Sequence, residues 1–550
     1  MKRFLGFFSF CVVQFFLLNV LSAQISPALP TSAQALMGLH FEPAEIDSML
    51  SGLEDQRKDY EAIRSVALPN AIIPSVGFQP LPPGFIVPDK QIKIRWDLPK
   101  QVIVPENREA LAFYSVSELS VLIKNKKITS EELTMIYINR LKKYGDTLAC
   151  VITLTEDRAL RMARKADREI RAGKYRGPLH GIPYGVKDLL SVEGYPTTWG
   201  AKPYQDQVLS ETATVVQRLD SAGAVLVAKL TMGALAWGDV WFGGTTRNPW
   251  NVKEGSSGSS AGSASATAAG LVAFSIGTET WGSIVSPSMR CGDTGLRPSY
   301  GRVSRSGAMA LSWSMDKIGP ICRTANDCAL VFDVIRGLDE KDLSLIPAAF
   351  NYTPRLPVSA LKVGYLASLF DADYPGKAND IKSLEILRGM GINLEPVTLP
   401  ENLPVNALGI ILSAEAAAAF DELTRSNRDS LLVRQIKNAW PNVFRTARFI
   451  PAVEYIQANR IRTILISQMN ECMQPFDVVV APSFEGDQLL ITNLTGHPSV
   501  VVPNGFYANG SPSGITFLGN LFEEAKILRL AKAFQDETDF EEQHPAWLKP

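Results

Sequence analysis

Residues 254–270 read EGSSGSSAGSASATAAG. Composition alone suits a flexible linker, because Gly/Ser tracts usually behave as random coil. The flanks argue otherwise. Upstream lies the turn-rich GGTTRNPWN (243–251) with its bulky Trp250, and downstream comes LVAFSIGTETWGSIVSP (271–287), apolar and β-branched enough to be buried. A linker is not normally threaded this tightly between two core segments. Ala261 to Ala269 contains only Ala, Gly, Ser and Thr, which suits a buried helix packed very closely against its neighbours. Gly258, Ser259 and Ser260 then form the loop at its N-terminus, where unpaired backbone N–H groups favour negative charge.

The surrounding pattern sets the fold class. Ser115-x-x-Glu118 and Thr129-x-x-Glu132 both have the form of a helix-capping box followed by apolar residues at helical spacing. Leu133, Ile136, Tyr137, Leu141 and Tyr144 make one face of the second helix, with Gly145 as its stop. A helix over 213–222 stops at Gly223 and leads into the buried strand AVLVAKL (224–230). Strand-like runs recur at 362–366, 476–482 and 499–503, and helical stretches at 379–390, 412–425, 453–473 and 523–535. This alternation predicts an α/β domain whose sheet is covered on both faces.

The N-terminal part differs. MKRFLGFFSFCVVQFFLLNVLSAQ opens on two cations, continues apolar and ends in small residues, the shape of a signal peptide cleaved after Ala23. An uncleaved transmembrane anchor is the rival reading; Gln14 and Asn19 inside the run favour cleavage. The predicted organisation is a signal peptide over 1–23, a Pro-rich arm over 24–112 with one helix (44–64), a main domain over 113–540 and a tail over 541–550. The arm either wraps the main body or is a partly disordered spacer. A net charge of −1 leaves no footprint for nucleic acid and no polybasic membrane patch. The six cysteines include no C-x-x-C, so there is no metal framework. Cys150, Cys291, Cys322, Cys328 and Cys472 read mostly as buried thiols, with a Cys322–Cys328 bridge left open for an exported protein.

Three segments carry candidate chemistry. One is the serine loop 258–260. The second, T-E-T-W-G-S-I (278–284), could offer consecutive backbone N–H groups from Thr280 to Ser283 to an oxyanion. In the third, GIPYGVKDLL (181–190), Lys187 ends an uncharged, largely apolar heptamer. Desolvated there, it would have a lowered pKa and act as a neutral base. Only four histidines occur, so the usual base of a serine hydrolase has few candidates. Taken singly, each residue also has a plain structural reading: Ser259 and Ser260 as helix caps, Lys187 as a surface lysine paired with Asp188, His180 and His497 as structural or substrate-lining, Cys291 as core packing.

In these blocks, from about Ser115 to about Phe534, the chain resembles the amidase signature family. The family's serine-glycine block looks like SGSSAGSASATAAG (257–270), and the block after it is similar to Glu279-Thr280-Trp281-Gly282-Ser283-Ile284. GIPYGVKD (181–188), RNPW (247–250), CGDTGLRP (291–298) and the turn over 493–503 follow the family's order, with Ser259 and Ser283 24 positions apart. The resemblance implies a large central mixed sheet covered by helices and a Ser–cis-Ser–Lys triad. Ser283 is then the nucleophile, Ser259 the bridging serine on a cis peptide bond, and Lys187 the base. The N–H groups of Thr280, Trp281, Gly282 and Ser283 form the oxyanion hole, with Ser260 and Glu279 behind them. It implies hydrolysis of a carbon–nitrogen amide bond with no cofactor and no metal. The expected partner is a small-molecule amide or peptide amide, with no nucleic acid, no stable membrane span after leader removal, and a homodimer left open.

Three departures from the family pattern stand out. Trp281 replaces a glycine, Val285 an arginine and Glu279 an aspartate; Arg290 is a candidate for the missing charge. They motivate a non-catalytic, amidase-like binding protein as one rival. Another is the A subunit of a glutamyl-tRNA amidotransferase, against which the leader argues. An α/β-hydrolase is a third, because Gly258-Ser259-Ser260-Ala261-Gly262 fits G-x-S-x-G. That motif needs a strand running into the serine turn, and RNPWNVKEGS reads as no strand.

Overall fold

The computed structural model describes residues 25–38, 40–66, 69–70, 72 and 77–549; the leader lies outside them. Met1–Pro69 and Asn70–Pro550 form two separate units. Within the described part of the first, Pro43–Arg64 is helical as expected, and Ala28–Met37 forms a second helix that the sequence pattern does not signal. It ends at Gly38 in the left-handed conformation, which closes a C-terminal cap.

The second unit is built on an eleven-stranded mixed sheet. In chain order the strands are β1 Val151–Leu154, β2 Pro183–Lys187, β3 Val225–Leu230, β4 Phe274–Glu279, β5 Thr294–Arg297 and β6 Lys317–Cys322. β7 Val363–Tyr365, β8 Leu394–Pro396, β9 Val478–Pro482, β10 Ser499–Phe506 and β11 Pro512–Gly519 follow. Across the sheet they run β1-β3-β2-β4-β6-β5-β10-β11-β9-β7-β8. β3, β2 and β4 are mutually parallel, so they end on the same side of the sheet. Every residue of those three strands is buried, as helices on both faces require. The arm from 77 onward is extended and lies along this unit: Pro88 O accepts from Ala349 N–H at 2.6 Å, and Asp97 pairs with Arg355 and Lys532.

Local differences from the sequence reading have physical causes. The Ser115–Glu118 capping box is complete, but at Thr129 only half forms, because the Glu132 carboxylate turns to Arg108 at 3.7 Å. Gly145 does not stop its helix, which runs Ser130–Leu148 and ends on a left-handed Ala149. The stretch 412–425 is two helices, Ile410–Ala419 and Asp421–Arg425, broken at Phe420. Asn251–Gly255 is a strand after all, paired only with Arg247–Asn248 outside the central sheet. The five described cysteines are free thiols.

The serine tract folds as the helix Ala261–Ala268, every residue of it buried. Its hydroxyls take up carbonyls around it: Ser263 donates to Ile276 O at 3.1 Å, Ser265 to Arg247 O at 2.8 Å and Thr267 to Ser263 O at 2.9 Å. Buried polar groups are tolerated when paired in this way. On β4, a Cβ at Gly277 would lie 2.8 Å from Ser260 Oγ, so glycine there lets the serine loop reach the strand.

Candidate active site

The site lies where β2 and β4 end and the loop before Ala261–Ala268 begins. Lys187 closes β2 and is fully buried. Its Nζ lies within hydrogen-bonding distance of Ser259 Oγ (2.8 Å), Thr278 Oγ1 (2.9 Å), Ser260 Oγ (3.2 Å) and Thr278 O (3.4 Å). Among the described residues no carboxylate is within ion-pair distance. Asp188, the first residue after β2, instead pairs with buried Lys229 at 2.8 Å. Burial brings the Lys187 pKa down to about 7, against the opposing pull of Asp316 and Glu279.

The Gly258–Ser259 peptide bond is cis. Ser260 N–H donates to Ser283 O at 3.2 Å, tying the serine loop to the loop after β4. Ser260 Oγ accepts from Thr278 N–H at 3.1 Å. Ser283 is nearly buried, and its Oγ is hydrogen-bonded to no described residue. The N–H groups of Thr280, Trp281, Gly282 and Ser283 likewise have no acceptor among the described residues. They are therefore available to a developing oxyanion.

Glu279 is held from several sides. Its carboxylate accepts from Ile284 N–H at 2.8 Å, Val285 N–H at 3.0 Å, Asn493 Nδ2 at 2.8 Å and Arg297 at 2.7 Å. Burial opposes its ionisation, yet Arg297 and those hydrogen bonds together carry its pKa down to about 2. Arg290, the candidate replacement charge, pairs with Glu254 instead; the guanidinium that meets Glu279 belongs to Arg297. Thr280 Oγ1 donates to Asp316 at 2.6 Å. The sequence reading does not single out Thr278, Arg297, Asp316 or Asn493. Thr278, Arg297 and Asn493 fall inside the blocks quoted above, but Arg297 lies on β5, with β6 between it and β4, a placement that no local pattern signals.

Neither the His180 nor the His497 imidazole bonds to this cluster, although the His497 carbonyl accepts from Arg297 at 3.0 Å. His180 is buried against Glu169 at 3.2 Å, and His497 shares a hydrogen bond with Thr495. A cavity of about 110 Å³ beside the site is lined by Leu189, Ala236, Thr278, Thr280, Met309 and Asp316, among others. Trp281 is 44% exposed and does not line it.

Comparison with known proteins shows the family of the chain. The family model described as Amidase matches residues 132–491. The glutamyl-tRNA(Gln) amidotransferase A subunit from Marinomonas sp. (strain MWYL1) is 33% identical over 482 residues, covering 79% of this chain and 99% of that one. The corresponding protein of Geobacillus kaustophilus is 31% identical over 484 residues, covering 78% and 99%. The native peptide amidase from Stenotrophomonas maltophilia superposes with a TM-score of 0.69 at 29% identity, covering 78% of this chain and 98% of that one. The chain belongs to the amidase family, whose class of reaction is hydrolysis of carbon–nitrogen amide bonds.

Proposed function

We propose that this chain is an exported amidase that cleaves a small-molecule or peptide amide through an acyl-enzyme on Ser283. The carrying observation is the 2.8 Å contact between buried Lys187 Nζ and Ser259 Oγ. Ser283 Oγ attacks the amide carbon as its proton passes to Ser259, whose own proton passes to neutral Lys187. The N–H groups of 280–283 receive the negative charge on the carbonyl oxygen. The C–N bond then breaks as the amine takes a proton back along the same path. Water repeats the attack on the ester, releasing the acid and restoring Ser283.

The test is a fluorophosphonate adduct mapped by peptide mass spectrometry, together with release of amine or ammonia from a panel of amides. Label on Ser283, lost in Lys187→Ala, is expected. Label on Ser260 with Ser283 unmodified overturns the assignment, and no amine release favours the binding-protein reading. For export, N-terminal sequencing from the native source should begin at Gln24.

The curated relatives favour a second reading, in which this chain is the A subunit of an amidotransferase. It predicts that the purified chain alone is inactive on every amide and gains activity only with partner chains and tRNA.

A further inference from the structure

Ala310 lines the cavity beside the site, and a residue of the N-terminal arm holds its backbone. Asn70 Nδ2 donates to Ala310 O at 2.9 Å, and Asn70 Oδ1 accepts from Ala310 N–H at 2.6 Å. The carboxamide thus meets this residue as a neighbouring strand would, satisfying its donor and its acceptor together. The two residues are 240 positions apart, and Asn70 lies ahead of the residues 132–491 that match the family model.

The rest of this wall is fixed by the body of the domain. Met309 N–H donates to Leu189 O at 3.1 Å and Ser191 N–H to Gly307 O at 2.9 Å, with Ala308 bridged antiparallel to Leu190. Further on, the Leu311 and Ser312 N–H groups donate to Asp316 at 2.8 Å and 3.0 Å. Between these anchors the Ala310 N–H and C=O have Asn70 as their partner and no other among the described residues. A second arm residue supports the far end of the wall. Phe78 packs edge-on against Tyr300 with ring centroids 5.0 Å apart, and the Tyr300 hydroxyl donates to Trp313 O at 2.8 Å.

The cavity is mostly apolar, with Leu189, Ala236, Met309, Leu311, Trp313 and Ile318 in its lining. Thr278, whose Oγ1 is 2.9 Å from Lys187 Nζ, and Thr280 line it as well. An acyl chain on the carbon that Ser283 attacks therefore has this cavity beside it. We propose that Asn70 is a positioning residue for substrate selection, a role that rests on the amidase reading above. By holding Ala310 it keeps the Met309–Leu311 wall closed on the apolar acyl chain of the amide. Without the carboxamide the Ala310 N–H and C=O must take water instead. That water stands at the edge of an apolar cavity, where it competes with the chain. A two-carbon acyl group stops short of the wall and needs no such support.

The test compares acetamide with hexanamide as substrates of the full chain in wild type, Asn70→Ala and Asn70→Asp. The aspartate keeps an acceptor for the Ala310 N–H but offers its carbonyl no donor. Both variants should raise KM for hexanamide on the order of tenfold, the worth of about two methylenes leaving apolar contact. Neither kcat, the acidic limb of the pH profile nor KM for acetamide should change. Deuterium exchange over 306–312 should rise in Asn70→Ala while the sheet strands keep their protection. An unchanged ratio of the two KM values overturns the proposal. So does an equal fall in kcat for both amides, which would mean that Asn70 acts through Lys187 or through the fold as a whole. Wild type that releases no ammonia from either amide counts against the amidase reading and leaves the wall to be judged by calorimetry. A hexanamide Kd weakened on the order of tenfold in Asn70→Ala then supports the role of Asn70, and an equal Kd or no binding overturns it.

Discussion

Lys187 Nζ and Ser259 Oγ stand 2.8 Å apart with both residues buried, and the lysine has hydroxyl and carbonyl partners but no carboxylate among the described residues. A lysine in that position keeps its proton poorly. The arrangement connects a strand end, a small-residue loop and a proton acceptor without a histidine.

The pH dependence follows from that contact. The folded pKa of Lys187, about 7, is far below the ordinary 10.5, so the base form is available at neutral pH and above. As pH falls through about 7 the amine is protonated, and kcat/KM should fall along a single-group limb. Lys187→Ala should lose about 10²–10⁴-fold in kcat/KM at pH 8. His180→Ala and His497→Ala should keep the acidic limb; burial holds His497 down near a pKa of about 3 and lowers that of His180. A variant lacking Lys187 with near-normal kcat/KM would falsify the assignment.

Glu279 should matter for stability as well as for loop shape. Replacing it with Ala strands the buried Arg297 charge and frees the N–H groups of Ile284 and Val285, a loss of about 3–5 kcal/mol. Because its folded pKa of about 2 lies below the ordinary 4.5, the stabilisation is fully present above pH 4.5. It is lost as pH falls toward 2. Urea midpoints at pH 7 for wild type and Glu279→Ala measure the effect; equal midpoints contradict it.

These residues differ in how legible they are in sequence. The tract 257–270 exposes both its helix and its loop, because only close packing explains so many small residues between core segments. Lys187 is visible as the single charge in an apolar heptamer. The partner of Glu279 is not, since Arg290 is closer in sequence while Arg297 is closer across the sheet. Pairing of that kind depends on strand order, which local periodicity does not contain. The break at Phe420 and the helix ending on Ala149 are hidden for a related reason: tertiary contacts outweigh propensity at element ends.

Thiol chemistry should distinguish one cysteine. Cys150, Cys291, Cys322 and Cys328 are buried, whereas Cys472 is partly exposed. Native protein should therefore react with Ellman's reagent at one thiol of these five, slowly because burial raises the Cys472 pKa, and reducing agent should leave the melting temperature unchanged. Absence of that reaction in Cys472→Ser identifies the site. A melting temperature that drops with reductant would instead reveal a disulfide.

Two neighbours in the loop after β4 should respond oppositely to substitution. Gly282 has φ 89°, and a Cβ there would lie 3.1 Å from Leu489 Cδ2. Gly282→Ala should therefore cost about 1–2 kcal/mol in stability and displace one of the N–H groups proposed to meet the oxyanion. A lost donor of that kind lowers kcat by about 10²–10³-fold, and every amide should suffer alike. Trp281 has no positive φ, so the bulky residue sits in the loop without that strain. With its side chain 44% exposed, Trp281→Gly should leave the N–H groups in place and change the room available around the reacting carbonyl. Bulky amides should then gain in kcat/KM while small ones change little, which a panel of aliphatic and aryl amides would register. If Trp281→Gly raises kcat by the same large factor for every amide, the indole was obstructing the oxyanion site, and its role in selecting substrates is excluded.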